Sequence, residues 1–123
     1  MLKAIVYVFL GGGLGSVARY IIQTFTPKSL LSTFPIATFS INILGSLLIG
    51  ILIGLLSKNG LDNSNWKLLL VTGFCGGFTT FSTFSQENLQ LIRDGQITLA
   101  LMYSLLSLIL GVSATALGFS LCK

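Results

Sequence analysis

The chain has no histidine, three acidic residues and two cysteines. Each scarcity excludes a class of chemistry. Cys75 and Cys122 lie in separate apolar stretches without ligand-spaced partners, so neither a metal cluster nor a disulfide framework is expected. Cys75 reads as a small packing residue. Charged residues make up 8% of the chain, against about 25% in a soluble domain. So few polar atoms cannot cover a water-facing surface. This excludes a soluble enzyme, a disordered tail and a secreted disulfide scaffold. The seven cations are scattered singly, and no basic run points to nucleic acid or to a polybasic lipid patch.

What is present is apolar: 53% of 123 residues are hydrophobic. A membrane-spanning helix uses about 20 residues, so four of them with short loops consume nearly the whole chain. The expectation is an all-α, multi-pass protein of the cell membrane. It forms a single four-helix domain in the lipid bilayer, with spans at about 4–25, 35–57, 66–91 and 96–121. Function must then reside in membrane-embedded residues. The N-terminal apolar run is read as the first span and not as a cleaved signal. It has no clear small-residue cleavage site, and three more spans follow.

The loops carry turn signals. Thr26-Pro27 and Phe34-Pro35 bracket the first connection, and Pro35 fits the first turn of the second span. Asn59-Gly60 opens a polar turn before Trp66, an interfacial anchor, and Asp94-Gly95 turns the chain into the last span. With four crossings, Lys3, Lys58, Lys67 and Lys123 share one side, and Arg19, Lys28 and Arg93 share the other. This near balance gives no usable positive-inside bias, and insertion in both orientations is one reading of it.

Several polar features lie inside the spans. The run Gly11-Gly12-Gly13-Leu14-Gly15 lets another helix approach closely. Arg19 either snorkels to headgroups or raises the anion concentration at a vestibule. Asn42 is either an interhelical clamp or a donor to a passing anion. Ser46, Gly50 and Gly54 form a small-residue stripe. In the third span, Gly76-Gly77 followed by Thr79-Thr80 invites local unwinding near the middle. Irregular backbone at that depth survives only when buried in protein or lining water. Broken helices of this kind build ion sites from helix ends and freed carbonyls. Phe81 and Phe84 share a helix face, and their ring edges carry partial positive charge that can receive an anion. The pair is otherwise lipid-facing or core. Tyr103, Ser107, Gly111 and Thr115 recur at four-residue spacing. Their hydroxyls either bond back to the helix or line a polar track.

Asp62, Glu87 and Asp94 are all placed in loops or at a span end. Proton-coupled transporters usually need an ionisable carrier within a span. The small multidrug exporters share this size and plan but depend on an acid in their first span, which is missing here.

The motifs Gly11-Gly12…Gly15…Arg19-Tyr20, Asn42…Gly45 and Gly73…Gly76-Gly77…Thr79-Thr80-Phe81-Ser82-Thr83-Phe84 resemble the CrcB/Fluc fluoride channels of microbes. The likeness covers essentially the whole chain. It implies passive fluoride export by a dual-topology, antiparallel homodimer with two pores. It also implies a structural sodium ion on the two-fold axis, held by backbone carbonyls of Gly76 and Thr79. The pore phenylalanines map to Phe81 and Phe84, the family asparagine to Asn42 and the vestibule arginine to Arg19. Tyr103, Ser107 and Thr115 fall along the fourth-span pathway, where Gly111 replaces a serine found in some relatives. Three functions stand against one another: a passive fluoride channel, a transporter (proton-coupled antiporter or small multidrug-type exporter) and a non-conducting membrane subunit.

Overall fold

A computed structural model describes residues 1–31 and 34–122; Lys123, counted above among the loop cations, lies outside the described residues. Four helices are long and apolar enough to cross a membrane: Leu2–Phe25, Ile36–Lys58, Asn65–Arg93 and Ile97–Leu121. In chain order the elements are α1 (Leu2–Phe25), the short loop helix α2 (Lys28–Leu31) and α3 (Ile36–Lys58). The third span follows as α4 (Asn65–Lys67), a π-helical segment (Leu68–Cys75), α5 (Gly76–Phe78) and α6 (Phe81–Arg93), and the chain ends in α7 (Ile97–Leu121). Pro35 caps α3 from just outside its first turn. The Asn-Gly and Asp-Gly turns form where expected. Gly60 and Gly95 adopt φ of +68° and +79°, a region that side chains rarely tolerate.

The glycine-rich face of α1 packs on the third span of the same chain. Gly11 and Gly15 are buried there. A Cβ on Gly15 would meet the Phe74 carbonyl oxygen and lie 2.8 Å from the Phe78 nitrogen. Only a hydrogen in that place lets the backbones come so close. The opposite face of α1 presents Phe9 and Leu14 outward, as a lipid-facing surface does. The small-residue stripe of α3 meets α7 in the same manner, with Gly50 against the Thr115 backbone.

The break falls in the second half of the Gly76–Thr80 stretch that the sequence singles out. Gly76 and Gly77 stay helical, and the chain becomes extended at Thr79 (ψ 158°) and Thr80 (φ −149°, ψ 122°). Packing explains why the glycine half stays helical. Gly77 is held against the Gly12 backbone, so contact with α1 overrides its weak helix preference. The β-branched threonines suit extended backbone better than the glycines do. The π-helical turns just upstream have no counterpart in the sequence reading. Such segments are rare and often sit at functional sites.

Candidate functional site

Thr80 starts α6, and its hydroxyl accepts the Thr83 N–H as an N-cap at 3.2 Å. Its peptide group is satisfied from across the bundle. The Thr80 N–H donates to Asn42 Oδ1 at 2.8 Å, and the Asn42 amide donates back to the Thr80 carbonyl at 3.1 Å. Asn42 is therefore the interhelical clamp. Arg19 reaches the same break, where its Nε donates to the Gly77 carbonyl at 3.1 Å. That guanidinium is tied to protein backbone at the break and is no loop charge. The cations left on its side of the membrane are Lys28 and Arg93.

These bonds divert donors from their helical acceptors. Thr80 N–H goes to Asn42 and not to the Gly76 carbonyl four residues back. Thr83 N–H goes to the Thr80 hydroxyl and not to the Thr79 carbonyl. Gly76 and Thr79 thus each lose the backbone partner that a continuous helix would provide, and both face one open groove.

That groove has a volume of about 740 Å³ and lies between α3, the break and α7. Its wall includes Asn42, Phe81, Phe84, Ser104 and Ser107. Phe81 is 78% exposed on the single chain, with its ring centroid 5.7 Å from that of Phe84. Ser107 also lines a second groove of about 590 Å³ that continues along α3 and α7. Its hydroxyl oxygen is buried without a hydrogen-bond partner among the described residues. Thr115 borders the second groove, but its hydroxyl bonds to the Ser46 and Gly111 carbonyls at 2.9 and 3.1 Å. It therefore follows the back-bonding reading and also ties α7 to α3.

Tyr103 is fully buried and sits behind the groove, on neither wall. Its ring packs on Phe84 at 4.9 Å, and its hydroxyl donates to Glu87 at 2.9 Å. Thr38 donates to the other Glu87 oxygen, also at 2.9 Å. This corrects the placement of Glu87 at a span end. It lies within α6, half-buried between α3 and α7. Sequence reading missed it because charge was used to mark where spans stop. Its place one turn past Phe84, on the face toward Tyr103, was the available signal.

The family model for CrcB-like protein, Camphor Resistance (CrcB), matches residues 6–119. The chain belongs to the CrcB family. Among CrcB relatives, the chain is 48% identical to the fluoride-specific ion channel FluC of Flavobacterium psychrophilum, over 99% of this chain and 98% of the relative. It is 46% identical to FluC of Azobacteroides pseudotrichonymphae, over 100% of this chain and 98% of the relative. The FluC of Pyrococcus abyssi is 39% identical, over 99% of this chain and 98% of that protein. Membership in CrcB together with four spans makes this a multi-pass protein of the cell membrane.

Proposed function

We propose that the protein is a passive, fluoride-selective channel that exports fluoride from the cytoplasm, and that it is not an enzyme. One observation carries the reading. A chain similar along its length to fluoride-specific channels has, between its spans, a groove lined by Phe81 and Phe84, with Ser107 on the same wall. Fluoride is small, strongly hydrated and a good hydrogen-bond acceptor. A pathway for it must replace lost water with donors at close spacing and still let the ion leave. In this reading Phe81 and Phe84, both on the groove wall, would present ring edges to the ion without a fixed charge to trap it.

The working unit in this proposal is an antiparallel homodimer with dual topology. The groove is open on one chain, and Phe81 stands exposed at its edge. A second copy would cover both and enclose the pathway. A sodium ion fits the break. The Gly76 and Thr79 carbonyls are hard oxygen donors whose helical N–H partners have been diverted, and these two residues would hold the ion. The bound ion would neutralise the carbonyl ends gathered at the break.

Glu87 favours one second reading, a proton-coupled fluoride antiporter, because it places a carboxylate within a span. Fluoride efflux from liposomes holding the purified protein separates the two. A channel needs a potassium ionophore as charge shunt and moves no protons. An antiporter carries protons in the opposite direction. Because fluoride leaving and protons entering both move positive charge inward, it needs the shunt too, and proton movement coupled to fluoride is what identifies it. No efflux from correctly inserted protein would refute both readings.

A further inference from the structure

We infer that Asn88 and Ser104 are positioning residues that fix the aim of Phe84, and with it the preference for fluoride over larger halides. The inference rests on the channel reading above. No residue of α6 is fully buried, so apolar packing restrains its rotation about its own axis only weakly. Two polar rungs supply the restraint. Tyr103 of α7 donates to Glu87, and the next residue, Ser104, donates to Asn88 Oδ1 at 3.1 Å. The other end of the Asn88 amide donates to the Phe84 carbonyl at 3.0 Å. One side chain thus joins the peptide group of the pore phenylalanine to α7, using an acceptor and a donor at opposite ends of a rigid amide.

The location gives this link its consequence. Ser104 and Phe84 both stand on the groove wall. Phe84 lies one helical turn before Asn88, so any turning of α6 that follows loss of the rung is passed to the ring. A ring edge holds a small anion only at close range. A slight rotation therefore loosens the site for fluoride more than for chloride, and the discrimination between them falls.

The test compares fluoride and chloride efflux from liposomes, each with a potassium ionophore, for the full-length protein and five variants. Asn88→Leu removes both bonds at similar volume, and Ser104→Ala removes one. The fluoride-to-chloride ratio is expected to fall about fivefold in Ser104→Ala, the factor carried by one hydrogen bond of ordinary net strength. Asn88→Leu should fall at least as far, and the double variant no further than Asn88→Leu, because the two residues share a bond. Ser104→Thr keeps the hydroxyl and should keep the ratio. Gln86→Ala, an exposed neighbour on α6, should also leave it unchanged. If Asn88→Leu fails to assemble, the contrast between Ser104→Ala and Ser104→Thr decides. Unchanged ratios in Ser104→Ala, or equal losses in Ser104→Ala and Ser104→Thr, overturn the inference. Wild-type protein that passes no fluoride defeats the channel reading instead.

Discussion

The side-chain amide of Asn42 closes both hydrogen bonds of the Thr80 residue, accepting its N–H at 2.8 Å and donating to its carbonyl at 3.1 Å. The amide thereby does for one extended residue what a neighbouring strand does in a sheet. At membrane depth such groups need a partner in the protein or in a water-lined cavity, and Asn42 supplies it. The break in the third span is consequently a built feature with its own partner on α3.

Replacing Asn42 tests that dependence. Asn42→Leu leaves the Thr80 N–H and carbonyl without partners, at about 1–3 kcal/mol for each buried group. The expected outcome is a clear drop in the thermal unfolding midpoint in detergent, together with loss of fluoride flux. A variant as stable as wild type would show that Thr80 finds other partners.

The phenylalanine pair is expected to act on flux rather than on folding. Phe81→Ile and Phe84→Ile keep most of the packing volume but remove the aromatic edge. Each should slow fluoride efflux about three- to tenfold, a loss of roughly 0.7–1.4 kcal/mol of stabilisation along the pathway. Phe74→Ile is the control, since Phe74 is stacked on Phe78 at 5.7 Å and is absent from the groove wall. Phe78 is a poor control because it is 7% exposed and belongs to the core. Wild-type flux in both single variants and in the double variant would remove the pair from the mechanism.

Glu87 accepts from two hydroxyls, one on α3 and one on α7. Glu87→Gln retains one acceptor oxygen and turns an amide donor toward the other hydroxyl. It should destabilise the protein by about 1–3 kcal/mol, read as a lower unfolding midpoint. Glu87→Gln should also leave fluoride efflux free of coupled proton movement, as in the wild type, if the protein is a channel. Proton movement coupled to fluoride in the wild type and lost in Glu87→Gln would instead identify Glu87 as a proton carrier.

Orientation can be forced. With Arg19 engaged at the break, the order of the four spans leaves Lys3, Lys58 and Lys67 on one side against Lys28 and Arg93 on the other, a near balance among the described residues. Two or three lysines added to the loops of one side should bias insertion and lower active dimer. Coexpression with the oppositely biased variant should restore fluoride efflux. Full conduction from a single forced orientation would contradict the antiparallel arrangement.

Much of the architecture was legible in the residues because the bilayer admits few solutions. Backbone groups must pair within each span, so long apolar runs can only be helices, and charges and Asn-Gly or Asp-Gly pairs mark their limits. The glycines of α1, the clamp candidate Asn42 and the facing pair Phe81 and Phe84 could be named from spacing alone. Tertiary contacts decided the rest. Packing of Gly77 on Gly12 kept the glycines helical and left the break to Thr79 and Thr80. The Gly77 carbonyl drew Arg19 to the break, and the hydroxyls of Thr38 and Tyr103 gave Glu87 a place inside the bundle. A sequence states which polar groups must find partners in lipid. Which partners they find depends on residues far along the chain that only the folded bundle brings within hydrogen-bond reach.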